Sequence, residues 1–259
     1  GNEGKIWATG KAGNLSGYVR FKTNSNVEST PHQWVKWSNG TIGVRLGFVE
    51  AWQGCYVTGT PVTSQLWGIA WHGCSGYIGQ DGIDVEVAIP GIGAAGLIMT
   101  NTSGGSNTSV HAYGTVGPGI HFRFNTSSYT TDDFTISTDT ATTNSTTYIG
   151  VSVPFGNMSA AFDIDSYAPE SKQGEMSGMG LAFKMNQLGP GAFSVHYGSK
   201  TYTNDGEADY GRTQMTFAYV VPVEKTGSLK GFYMSNTKTP EVGDAETQTW
   251  IGGGYTLAF

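Results

Sequence analysis

Charge is scarce in this chain of 259 residues. Asp, Glu, Lys and Arg together make up 13% of it, and the formal net charge is −6. That balance excludes the basic footprint of a nucleic-acid-binding protein, so no nucleic-acid partner is expected. Long apolar runs are absent as well, which excludes a transmembrane helix. No signal peptide is visible at Gly1, so the expectation is a chain that is cytosolic or already processed. Cysteine is almost missing. The two present, Cys55 and Cys74, stand 19 positions apart in a stretch rich in Gly and Trp, without zinc-ligand companions. The reading preferred for them is a loop disulfide in an oxidising compartment, and two unpaired thiols remain the alternative. No segment has convincing helical periodicity, and nothing marks a domain boundary, so residues 1–259 are read as one domain.

What the chain has is glycine, 39 of it, with abundant Thr, Ser and Asn and 12% aromatics. These are poor helix formers, many of them turn formers, and the aromatic content is too high for a disordered chain. Alternation of apolar and polar residues recurs from end to end, the period of a half-buried strand. "TIGVRLGFV" (41–49) sets Ile42, Val44, Leu46 and Phe48 against Arg45 and glycines. "IDVEVAI" (83–89) opposes four aliphatics to Asp84 and Glu86, and "AFDID" (161–165) opposes Phe162 and Ile164 to Asp163 and Asp165. About fifteen such segments are separated by turn signals that alternate between short ("GN" at 13–14, "GPG" at 117–119, "GN" at 156–157) and long and polar. A meander with its short turns at one end and its long loops at the other has that signature.

Alternation alone fits either a soluble sandwich, apolar face inward, or a membrane barrel, apolar face to lipid. Three features favour the barrel. Charges sit singly or in pairs at mid-strand, as a wet lumen tolerates. Aromatics lie near strand ends (Trp7, Tyr18, Trp37, Tyr148, Phe155, Phe193, Tyr219, Tyr255 and Phe259), as in aromatic girdles. Short turns alternating with long loops match outer-membrane barrels, and closure removes the edges an open meander would expose.

The chain ends "WIGGGYTLAF". Its Tyr255-x-Leu257-x-Phe259 resembles the C-terminal strand signal of Gram-negative outer-membrane barrels, which in that family is read by the barrel assembly machinery. "GKIWATGKAGNLSGYVRFK" followed by "QWVKWSNGTIGVRLG" is similar to the early strands of general porins of the sixteen-strand class. The resemblance covers the organisation of nearly the whole chain, with few exact residue matches. It implies an all-β, transmembrane, antiparallel up-and-down barrel of about 16 strands, with 14 if residues 5–22 form one interrupted strand. It also implies a homotrimer in the outer membrane among lipids and lipopolysaccharide, passing small hydrophilic solutes and ions, with no cofactor, no metal and no enzymatic step. The third loop of such porins folds inward and narrows the pore, and here it corresponds to residues 51–81. The acidic, Pro-containing tip common in enterobacterial relatives is absent from it. Trp52, Trp67, Trp71 and His72 occur there instead, in or beside the Cys55–Cys74 pair, where a crosslink would fix the pore width.

For the constriction, the candidates are a basic wall of Arg20, Lys22, Lys36 and Arg45 facing acidic Glu50, Asp81, Asp84 and Glu86, with Arg123 also lining the pore. Ordinary solvated strand charges are the plainer reading. Two rival functions stand beside the porin. A barrel enzyme would need a nucleophile–base constellation, and no Gly-x-Ser-x-Gly accompanies the five histidines. A secreted lectin-like β-sandwich would make use of Asn-x-Ser/Thr triplets such as those at Asn14, Asn107 and Asn125, which Thr- and Asn-rich composition also produces by chance.

Overall fold

The computed structural model describes residues 4–24, 27–28, 32–52, 77–102, 105–131, 142–169, 173–204, 210–223 and 227–257. Nearly all of them are in strands, because the alternating β-branched and aromatic residues fit a pleated surface with two unlike faces. In chain order these are β1 (Gly4–Ala12), β2 (Leu15–Asn24), the two-residue β3 (Val27–Glu28), β4 (His32–Ser38), β5 (Ile42–Trp52) and β6 (Tyr77–Ile89). There follow β7 (Gly93–Thr102), β8 (Gly105–Val116), β9 (Ile120–Thr131), β10 (Thr142–Phe155) and β11 (Met158–Pro169). The last five are β12 (Gln173–Leu188), β13 (Gly191–Asn204), β14 (Tyr210–Val223), β15 (Gly227–Pro240) and β16 (Glu246–Leu257).

Each strand pairs antiparallel with the next, and β3 is a side branch on β2, so fifteen strands form one continuous up-and-down path from β1 to β16. Among the described residues that makes fifteen, the number of segments the alternation marks out. The fourteen-strand option fails, because β1 and β2 form a hairpin from Ala12↔Leu15 to Gly4↔Thr23. Gly13 turns it with φ 58°, in the left-handed region open to glycine. With an odd number of antiparallel strands, β1 and β16 run the same way. Among the described residues no ladder joins them.

The short turns at 13–14, 39–41, 90–92, 117–119, 156–157 and 189–190 all lie at one end of the sheet, as the sequence pattern requires. Strands β5 and β6 reach to Trp52 and back to Tyr77, so the inward-loop candidate shrinks from 51–81 to residues 53–76, which lie outside the described residues together with Cys55, Cys74, Trp67, Trp71 and His72.

The burial pattern is that of a water-soluble protein turned inside out. On the apolar face, Ile83, Val87, Val110, Phe162, Leu181 and Ile251 are exposed. On the polar face, Asp84, Asn125, Asp163 and Thr216 are each no more than 2% exposed. Among the described residues the buried hydrophobic cluster is Val49 with Ile98. So small an apolar centre cannot offset the conformational entropy of ordering a chain of this length in water. The soluble-sandwich reading is therefore overturned: the described residues form one ladder, among them no second sheet covers its apolar face, and Asn107 and Asn125 are buried instead of presented as glycan acceptors. Each strand between β2 and β15 on the path pairs with a neighbour on both sides, as hydrocarbon requires of a spanning structure.

The aromatic belt needs correction. Phe155, Phe193, Tyr219 and Tyr255 do face outward near the short-turn end, Phe155 lies 6.2 Å from Phe183, and Tyr219 donates its hydroxyl to the Leu188 carbonyl at 2.6 Å. Tyr148 is fully buried on the polar face, and Trp7 and Tyr18 share the register of that face through their partners Arg20 and Thr9. Proximity to a strand end does not fix the side on which a ring lies. Parity does.

Candidate functional site

The densest polar constellation sits on the enclosed face of β4 to β9, and the register builds it residue by residue. Arg45 on β5 is the direct cross-strand partner of Asp84 on β6, and their side chains form an ion pair through Nη2 and Oδ2. Glu86, two residues on, is opposed on both sides by glycine, namely Gly43 on β5 and Gly96 on β7. Those glycines are windows. A Cβ at Gly43 would lie 2.9 Å from Lys36 Cε, and one at Gly96 would lie 2.7 Å from His111 Nε2. With no side chain at either place, Lys36 crosses over Gly43 from β4 and pairs with Glu86 Oε2. In the same way His111 crosses over Gly96 from β8 and places Nε2 3.5 Å from Glu86 Oε1 and 3.7 Å from Asp84 Oδ1.

Tyr113 extends the network. Its hydroxyl donates to Glu86 Oε1 at 2.9 Å, its ring stacks on the His111 imidazole at 6.1 Å, and its cross-strand partner Arg123 lies 5.9 Å over the ring. Arg45 also lies 5.9 Å from the Trp34 ring. Each carboxylate thus has one oxygen held by a cation and the other turned toward the imidazole.

A second cluster lies on β13 to β15. Tyr202 and Tyr210 stack at 4.4 Å, Lys200 sits 4.8 Å from the Tyr202 ring, and Lys238 sits 4.8 Å from the Tyr210 ring. Between the two clusters run Asn125, Tyr148, Asp163 and Asp165 of β9 to β11, and Tyr148 donates to Asp163 Oδ2 at 3.5 Å.

The predicted constriction residues separate into groups. Lys36, Arg45, Asp84 and Glu86 do come together, but the geometry expected for them is wrong. They are lateral neighbours on one wall, neutralising one another, and not a basic wall facing an acidic one. Arg20 shares their face, opposite Trp7, and Arg123 joins them through Tyr113. Asp81 is an incorrect choice. It pairs with Phe48, is exposed, and has the parity of Ile83 and Val85, so it belongs to the outward face. Lys22 pairs with Lys5 and Glu50 with Gly79 along the backbone, and their side chains lie outside the described residues, as does that of Leu257. Tyr255 is on β16 with its ring outward, and Phe259 lies outside the described residues. Tyr113 and the β13–β15 cluster escaped sequence reasoning, and His111 entered it only among the five histidines weighed for a barrel enzyme. The one signal that could have found His111 was its polar parity beside Ser109 in "NTSVHAY", since the glycine window opposite it becomes visible only with the register.

A single meandering ladder with its charged face enclosed defines a membrane-type β-barrel wall. No family model matches the chain, and no curated protein sequence matches it. Among solved structures, an anion-selective porin from Comamonas acidovorans superposes with a TM-score of 0.68 at 15% identity, over 99% of this chain and 89% of that one. The outer-membrane channel DcaP of Acinetobacter baumannii gives 0.70 at 9% identity, over 98% of this chain and 84% of that one. The trimer form of OmpT, an outer-membrane protein of Vibrio cholerae, gives 0.67 at 10% identity, over 99% and 91%. At such identities the likeness shows the fold, and the fold is that of the outer-membrane porin barrels.

Proposed function

We propose that this chain is a Gram-negative outer-membrane porin, a water-filled channel through which small hydrophilic solutes and ions diffuse passively. The observation that carries the proposal is the inverted burial, with carboxylates and amides enclosed and aliphatic side chains exposed, in a ladder of porin topology. Hydrocarbon suits the exposed face, and water suits the enclosed one. The strands of this reading cross the membrane many times among lipids and lipopolysaccharide. The protomers form a homotrimer, and the barrel assembly machinery reads the terminal strand at Tyr255, Leu257 and Phe259. No covalent step is assigned. Selectivity comes from pore width and the field of the wall.

That field favours anions. Leaving out Lys36, Arg45, Asp84 and Glu86, the enclosed-face register of the described strands holds Lys11, Arg20, Arg123, Lys184, Lys200, Arg212, Lys230 and Lys238 against Asp163, Asp165 and Glu246. The stretch between Glu50 and Asp81 adds no acidic or basic residue except His72. The anion-selective porin among the structural neighbours is in keeping with this. The deciding experiment is single-channel recording in planar bilayers across a KCl gradient. Discrete, ohmic openings with a reversal potential on the chloride side are expected. A chain soluble without detergent that never conducts would end the proposal.

A further inference from the structure

We propose that Asp84, Glu86 and His111 form a divalent transition-metal site in the wall of the barrel. The three side chains are buried, and one ligand atom from each lies within 4.8 Å of the others. Asp84 is 1% exposed, and its Oδ1 has no hydrogen-bond partner although it points at His111 Nε2 across 3.7 Å. An unpartnered buried carboxylate oxygen is costly unless something cationic satisfies it. Beside His111, its cross-strand partner Asn125 is 1% exposed and also has no partner on its amide oxygen or nitrogen.

The spacing from the imidazole nitrogen to the two carboxylates suits a small N/O-ligated ion. Ligands at 2.0–2.1 Å around a tetrahedral zinc are separated from one another by about 3.3 Å, and an octahedral magnesium would set them about 2.9 Å apart. The imidazole nitrogen lies 3.5 Å and 3.7 Å from the two oxygens, so it suits the wider geometry with a slight inward movement. An imidazole with two carboxylates is a donor set for Zn²⁺, Ni²⁺ or Cu²⁺ and too poor in oxygens for Ca²⁺. The outer partners are already in place. Lys36 and Arg45 hold Oε2 and Oδ2, which leaves Oδ1 free and Oε1 held by the Tyr113 hydroxyl, an orienting arrangement of the kind metal ligands need. These same cations cancel the charge of the carboxylates, so binding is micromolar and not nanomolar. Water completes the coordination from the lumen side. A bound ion adds two positive charges to the wall and strengthens the preference for anions.

The site is tested on the full chain folded in detergent, where binding is read independently of conduction. Zn²⁺ titration by calorimetry is expected to give one site per chain, and Co²⁺ to give the intense visible absorption of a four-coordinate ion. His111→Gln and Asp84→Asn, each confirmed as folded by its gel mobility without boiling, should weaken Zn²⁺ by about tenfold or more. His121→Gln, a ring that hydrogen-bonds Thr115, should leave it unchanged. Zn²⁺ affinity unaltered in both ligand variants would assign the metal elsewhere on the chain and overturn the proposal. So would the absence of saturable Zn²⁺ or Co²⁺ binding below millimolar concentration. A protein that binds Zn²⁺ as expected but never conducts would retain this site and lose the channel.

Discussion

Replacing Arg45 with alanine tests whether the wall network stabilises the barrel. The Asp84 side chain is fully buried and that of Arg45 is 22% exposed, so the pair is largely withdrawn from water. Removing one partner of a buried pair typically costs about 3–5 kcal/mol, because the remaining charge is stranded. The lumen side is wet, which places the expectation at the lower end, about 3 kcal/mol, including about 0.5–1 kcal/mol for the lost contact over Trp34. Asp84→Asn alone should cost less, about 1–2 kcal/mol, because Arg45 is partly exposed and can hydrate. In the double variant no charge is stranded, so its loss should fall about 2 kcal/mol short of the sum, roughly a 30-fold difference in the unfolding constant. The assay is urea unfolding in lipid vesicles, followed by tryptophan fluorescence and by the shift of the unboiled gel band. Additivity within about 0.5 kcal/mol, or an Arg45→Ala loss below about 1 kcal/mol, would refute the reasoning.

The orientation of the sheet predicts that Phe162→Arg, on the exposed apolar face, destabilises the protein in vesicles by about 2–4 kcal/mol, while Asp163→Asn next to it has a smaller effect; reversed rankings in the same urea titration would place lipid on the wrong side. Arg212→Glu on the basic cluster of β14 should lower the chloride-to-potassium permeability ratio measured from reversal potentials, and an unchanged ratio would remove that cluster from the conduction path. Gly13→Ala forces a φ of 58° on an L-residue and should cost about 1–2 kcal/mol, with slower refolding of the first hairpin as the check.

Much of the architecture was legible because a barrel strand carries its own instruction. Period-2 alternation in "IDVEVAI" or "AFDID" separates two faces without reference to any other strand, and turn glycines such as Gly13 and Gly156 mark the hairpins by their backbone freedom. The same local character explains the misses. Asp81 looks like one more acid ahead of Asp84, but it stands an odd number of residues away and therefore falls on the opposite face. Tyr148 looks like a girdle ring near a strand end, and its even spacing from Thr146 and Gly150 turns it toward Asp163. Arg45 and Asp84 invite a picture of opposed walls because 39 residues separate them, yet two adjacent antiparallel strands joined by a long loop make them immediate neighbours.

The sequence by itself determined that this protein is a meander of strands with one greasy and one polar face, because strand geometry imposes that division on each segment alone. Tertiary structure decided which side is enclosed and which polar groups touch. Burial of Asp84 and exposure of Phe162 arise only when many strands stand side by side. The meeting of Lys36, Glu86 and His111 depends on glycines 43 and 96 lying opposite one carboxylate. Register between strands sets that alignment, and no single segment contains it.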